Sequence, residues 1–180
     1  MVDAGNAASP PIERTASDTI QLERLLDAPV ATVWRYLTDA DLRAQWFAGG
    51  SAIAGEGPLT LAFDHDRLSS EYVPYPPDYA SGKGAVNQEQ VLRFEPTSVL
   101  AFTFGEGRNG TATFELFAEG ERTRLVLTHS GIQSPTGALN FGSGWNSHLA
   151  VLQEKLAGRD VSDFWALHAR SRDAVAEALG

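Results

Sequence analysis

Hydrophobic positions in this chain switch between two spacings, and the switches mark out its elements. Over 19–25 (TIQLERL) Ile20 and Leu22 alternate with polar residues and, with Leu25 and Leu26, predict a strand. Val30, Val33, Trp34 and Leu37 then fall at helical spacing. Asp27-Ala28-Pro29 opens that helix, placing an acidic residue near the cap and a proline in the first turn. Thr38 and Asp41 sit as a capping box for a second short helix through Leu42 and Trp46, which Gly49-Gly50 stops.

Beyond that point the spacing becomes two. Leu59, Leu61 and Phe63 alternate, and Leu92 and Phe94 continue a strand beginning near Gly84. Leu100, Phe102 and Phe104 alternate, as do Ala112, Phe114 and Leu116, and then Leu125 and Leu127. Such strands, joined by glycine-rich connections, predict an antiparallel sheet with one covered face. Helical spacing returns at 144–157 (GWNSHLAVLQEKLA), where Trp145, Leu149, Leu152 and Leu156 form a stripe and Gly158 sits at the C-cap. A last helix near 162–178 carries Phe164, Trp165, Leu167 and Val175.

Two segments stand outside this scheme. Residues 1–17 are rich in Ala, Ser, Pro and Gly and read as a disordered tail. The connection at 64–83 is long and holds Tyr72, Tyr75 and Tyr79 among prolines, which suits either a lid over a pocket or a solvated insertion. The chain therefore divides into a tail (1–17), one domain (18–158) and a helical extension (159–180).

Composition narrows the function classes. A net charge of −9 argues against a nucleic-acid or anionic-membrane surface, which needs clustered Lys and Arg. The absence of cysteine excludes disulfides, thiolate metal sites and cysteine nucleophiles. With no basic start leading into an apolar core, and no apolar run of roughly 20 residues, the chain reads as cytoplasmic.

Local motifs add a resemblance. LLDAPVATVWRYLTDADLRAQWF, TRLVLTHSG and GWNSHLAVLQEKLAG occur in that order, and together resemble the heat-shock-protein-90 ATPase activator homologues of the START-like (SRPBCC) superfamily. The resemblance covers about 19–158. It implies an α+β helix-grip fold: a curved antiparallel sheet wrapped on a long C-terminal helix, with two short helices after the first strand. It also implies a mostly apolar cavity between helix and sheet. Members of the superfamily bind lipids, polyketides or other hydrophobic compounds, cyclise or hydrate polyketides, or act as co-chaperone domains.

On that arrangement the cavity wall draws on Trp46, Phe47, Phe63, Phe102, Phe104, Phe114, Trp145, His148 and Leu149. Aromatic walls suit a flat or acyl ligand, although the same pattern fits rings that only fill a core. His148 is a weak candidate for a general acid or base, or for a hydrogen bond to a ligand carbonyl; bonding to a backbone carbonyl is its plainer role. His129 in THSG reads as an anchor between the last strand and the next loop. Gln88 and Gln90 share a strand face with Leu92 and Phe94, so either suits a polar handle in the cavity or a place on the rim.

Asp64-His65-Asp66 are adjacent on a strand end and point in alternating directions, and no other set has zinc spacing, so no metal is expected. Gly105 to Gly110 matches GxGxxG, but the following TATFELF alternates as a strand and Asn109-Gly110 is a hairpin turn. No cofactor follows from it. The expected function is binding of a hydrophobic small molecule without catalysis. A cyclase- or hydratase-like enzyme using His148, and a co-chaperone-like domain, are the alternatives. A homodimer or a chaperone remains open as a further partner; nucleic acid and membrane do not.

Overall fold

The computed structural model describes residues 12–180. Eight antiparallel strands form one sheet: β1 (Glu13–Ala16), β2 (Thr19–Leu26), β3 (Gly49–Gly50), β4 (Gly57–Ala62), β5 (Val86–Glu95), β6 (Val99–Thr103), β7 (Thr111–Glu119) and β8 (Arg122–Ser130). Their spatial order is β1-β2-β8-β7-β6-β5-β4-β3. Helices α1 (Val30–Thr38) and α2 (Ala40–Ala44) follow β2; α3 (Pro135–Leu156) and α4 (Phe164–Leu179) follow β8. This is the α+β helix-grip arrangement, a curved sheet with a long C-terminal helix.

The alternating side chains fill the interior as expected. Ile20 and Leu22 on β2, Leu59 and Leu61 on β4, Phe114 and Leu116 on β7, and Leu125 and Leu127 on β8 are all buried. From the helices, Val33, Trp34 and Leu37 of α1 and Trp145, Leu149 and Leu152 of α3 pack into the same core. Burying a side chain of this size stabilises by about 1.5–3 kcal/mol.

Several local readings need correction. Ile12 is buried and Glu13–Ala16 pairs with β2, although both fall in the segment expected as a tail. An edge strand needs only backbone partners, so the exposed, Ala-containing β1 gives little hydrophobic signal. Residues 1–11 of that expected tail lie outside the described residues. The capping box is replaced by Asp39, which serves both helices. Its N–H donates to the Arg35 carbonyl at the end of α1, and its carboxylate accepts from Asp41 N and Leu42 N at 3.0 Å. The Thr38 hydroxyl instead donates back to the Trp34 carbonyl at 2.9 Å. Pro29 is itself the cap of α1, one place before the first turn in which it was expected, and only its carbonyl accepts from the helix.

Two corrections reach the site. First, α3 begins about two and a half turns before the expected 144, capped by Ser134, whose hydroxyl accepts from Gly137 N, with Pro135 in the first turn. Gly137, Gly142 and Gly144 dilute the apolar stripe there. Gly142 has a positive reason: a Cβ on it would lie 2.6 Å from Ile12 Cδ1 and 3.0 Å from Val175 Cγ1. The N-terminal segment and α4 both approach α3 at that point.

Second, the β5–β6 register shifts between Val91 and Arg93. Before this bulge Glu89 and Val91 face inward; after it, Phe94 does. Gln88, Gln90 and Leu92 are exposed, so neither glutamine is a cavity handle.

The 64–83 connection carries two 3-10 turns, His65–Leu68 and Pro77–Gly82. Asp64-His65-Asp66 thus enters a turn instead of ending a strand. Backbone bonds from Ser70 N to Val161 O (2.8 Å) and from Glu71 N to Ser162 O (3.4 Å) stitch the connection to the α3–α4 link. The Ser69 hydroxyl accepts from Phe164 N at 2.8 Å, next to the cap that Asp163 provides for α4.

Candidate functional site

The aromatic residues expected at the cavity wall lie in the interior, touching one another. Phe47 packs on Trp145, Phe63, Phe102 and Phe104, at ring separations of 5.0–6.4 Å. Phe114 closes on Trp46, Phe102 and Trp145. Leu149 is fully buried in the same core. These side chains are brought together, as one packed cluster between sheet and α3.

A cavity of about 710 Å³ lies elsewhere, bounded by the 65–82 segment, α3 and α4. His65, Tyr75 and Tyr79 come from the connection; Gly144 and His148 from α3; Phe164, Trp165 and His168 from α4. Asp78, Asn140 and Arg172 complete its wall with polar groups. Of the residues expected at a ligand site, His148 is the one that lines this space. Tyr75, Tyr79, Phe164 and Trp165 were visible as aromatic positions, but nothing in their spacing ties the connection to α4. His168 was not singled out. Its only sequence signal is that Phe164, His168 and Arg172 recur at intervals of four along one face of α4.

Phe164 sits at the centre of the histidines, with its ring centroid 5.3 Å from His65, 5.1 Å from His148 and 6.0 Å from His168. Trp165 stacks on His65 (5.1 Å) and on Tyr79 (5.0 Å), while Tyr75 tilts against it at 4.9 Å. The hydroxyl of Tyr75 accepts from His65 N at 2.9 Å, which fixes the start of the first 3-10 turn.

Hydrogen bonding assigns two of the imidazole tautomers. Nδ1 of His148 lies 2.8 Å from the Trp46 carbonyl, which can only accept, so Nδ1 carries the proton and Nε2 a lone pair. Ser147 gives its hydroxyl proton to the Ser143 carbonyl (2.6 Å) and therefore accepts from His168 Nδ1 at 2.8 Å. Nε2 of His168 then accepts from the Tyr79 hydroxyl at 3.0 Å. His168 is saturated; His148 Nε2 has no hydrogen-bond partner among the described residues. Nδ1 of His65 is buried and has no partner either.

Burial keeps these rings neutral. It pushes His148 down to about 3, with His65 nearby adding to the effect, and His65 down to about 4, with His168 adding to it. His168 is lowered too, by burial and then by Arg172. At the cavity edge, Lys83 pairs with Asp66 at 3.0 Å and lies over the Tyr75 ring. Among the described residues, no group of three or more His, Cys, Asp or Glu side chains is placed to hold a metal ion.

The other motifs have structural roles. His129 accepts from Trp145 Nε1 at 3.0 Å and donates from Nε2 to the Asn109 carbonyl at 2.7 Å, anchoring β8 to the β6–β7 turn. The GxGxxG run is that turn, a hairpin between strands. Gly110 has φ +88, and a Cβ there would come within 2.0 Å of the Ser130 carbonyl oxygen. Glu89, which the alternation hid, braces the same turn. Its buried carboxylate accepts from Thr103 Oγ1 (2.7 Å), Gly105 N (2.8 Å) and Glu106 N (3.0 Å). Among the described residues no helix is long and apolar enough to cross a membrane.

Comparison with known proteins bears on this geometry. The family model described as activator of Hsp90 ATPase homolog 1-like protein matches residues 27–157. A Bordetella parapertussis protein solved by NMR is 38% identical; the match covers 93% of this chain and 89% of that one, with a TM-score of 0.77. CalU16 from Micromonospora echinospora is 22% identical over 89% of this chain and 87% of its own, with a TM-score of 0.62. DynU16, a protein from the dynemicin biosynthetic locus, is 22% identical over 81% of this chain and 49% of its own, with a TM-score of 0.60. The last two likenesses are of fold. No curated protein matches the chain.

Proposed function

Because this chain belongs to the activator of Hsp90 ATPase homolog 1-like family, whose fold is associated with ligand binding, we propose that it binds a hydrophobic small molecule without transforming it. The cavity between the 65–82 segment, α3 and α4 is the site assigned to that ligand. One observation carries the reading: a space of about 710 Å³ whose walls combine Tyr75, Tyr79, Phe164 and Trp165 with a few polar atoms. That mixture is typical of small-molecule sites, where apolar walls supply affinity and a few polar groups fix orientation.

Binding is better supported than catalysis. A general base works best with a pKa near the working pH, and His148 is held near 3. Its Nδ1 is already committed to the Trp46 carbonyl, and no carboxylate is bonded to it. The expected wall residues Trp46, Phe47, Phe63, Phe102, Phe104, Phe114, Trp145 and Leu149 then serve as the packed floor behind His148.

The test is a panel of fused-ring aromatics, polyketide-like phenols and fatty acids, followed by native mass spectrometry and thermal shift. Trp165 lies in the wall, so a bound compound should also alter tryptophan emission. A panel in which no compound is retained and none shifts the melting temperature would overturn the reading.

A further inference from the structure

The polar atoms of the cavity are unevenly committed, and that asymmetry says what a ligand must bring. His168 is closed on both nitrogens, by Ser147 on one side and the Tyr79 hydroxyl on the other. His148 is closed on one, since the Trp46 carbonyl takes its Nδ1 hydrogen. That bond decides the tautomer, so the ring offers the cavity an acceptor and cannot offer a donor. An acceptor of this kind in an aromatic enclosure is matched by an O–H or N–H on a flat apolar body. An ether of the same shape would exclude solvent from Nε2 and give no hydrogen in return.

We propose that the cavity selects planar aromatic compounds carrying a free hydroxyl (phenols), with His148 Nε2 accepting the hydroxyl hydrogen. His148 is thus a specificity-determining residue, and the inference rests on the binding role given to the cavity above. Burial supports it further, because an imidazole held near 3 stays neutral and keeps its lone pair at physiological pH. A site that hydrogen-bonds a ligand hydroxyl discriminates against the analogue lacking it, because the bound analogue shuts solvent off from Nε2 and leaves it without a donor.

The experiment compares 2-naphthol with 2-methoxynaphthalene on the full chain. Affinities are measured by calorimetry, and binding is located by NMR of the protein labelled with ¹⁵N-histidine. The chain has four histidines, and His129, bonded to Asn109 and Trp145, serves as the internal reference outside the cavity. Naphthol should bind at least about tenfold more tightly than the ether. It should move the His148 Nε2 resonance while leaving His129 in place, and His148→Phe should erase the preference. Equal affinity for the two compounds would overturn donor recognition and leave the binding role standing. If neither compound moves the His65, His148 or His168 signals, both readings fall. The naphthol–ether comparison on the unaltered protein decides the matter even if His148→Phe does not fold.

Discussion

The Tyr79 hydroxyl lies 3.0 Å from Nε2 of His168, so a hydrogen bond joins the long connection after β4 to the last helix at the cavity wall. Tyr79→Phe removes the donor and leaves the ring that stacks on Trp165. The expected loss is about 1 kcal/mol in urea unfolding, with faster amide exchange over 77–82. Unchanged exchange in that turn would show that the bond does not hold the connection in place.

Glu89 predicts a larger effect. The residue is 2% exposed, and its carboxylate accepts from two backbone N–H groups and the Thr103 hydroxyl. Glu89→Ala leaves those donors unsatisfied and should cost about 2–3 kcal/mol in chemical denaturation. Glu89→Gln, which keeps one acceptor oxygen, should fall between the two. Similar stability for all three proteins would refute a bracing role.

Arg43 on α2 is 1% exposed, and its guanidinium donates to the carbonyls of Leu37, Thr38, Ala48, Gly49 and Ser51. It joins α1, α2 and β3 through a fork that an ammonium cannot reproduce. Arg43→Lys should therefore destabilise by about 2–3 kcal/mol, seen as a lowered unfolding midpoint. Full stability in the lysine variant would contradict this.

The cavity histidines set a direction for pH dependence. In the folded chain His148 lies near 3 and His65 near 4, both below the ordinary value of 6.5. Below about 6.5 the unfolded chain binds more protons, so stability falls as pH falls from there and levels off near 3. Above 6.5 both states are neutral, and these groups add no slope. The combined effect is on the order of a few kcal/mol. The stability gap between the unaltered protein and His148→Phe should therefore narrow from about pH 7 to about pH 4 in urea titrations. A constant gap would exclude His148 as a source of the slope.

Much of the fold was legible because sheet and helix write different periods into the sequence. Leu59 and Leu61, Phe114 and Leu116, and the Trp145–Leu149–Leu152 stripe all bury as their spacing implies. What failed was local. The bulge after Val91 turned Gln88 and Gln90 outward and hid Glu89, since alternation alone cannot show a register shift. The glycines before Trp145 masked the first turns of α3, because Gly142 answers to Ile12 and Val175 instead of to helix propensity. At the site, His148 was visible on its own helix, whereas His65 and His168 reach it from segments about a hundred residues apart. Periodicity describes one element at a time, so it has no means of reporting that meeting.

The stitching of Ser69 and Ser70 to Phe164 and Val161 has a mechanical consequence. The connection and the front of α4 are fastened to each other, and α4 is fastened in turn to α3 through the Ser147–His168, Asn146–Ser171 and Arg172–Asn140 bonds. Widening the cavity by moving α4 therefore breaks hydrogen bonds to both the connection and α3. The family match ends at residue 157, so it takes in the connection and α3 but not α4, the element that joins these two walls. Substitutions along α4 therefore change one cavity wall and the ties to the other two, outside the stretch that the family model matches.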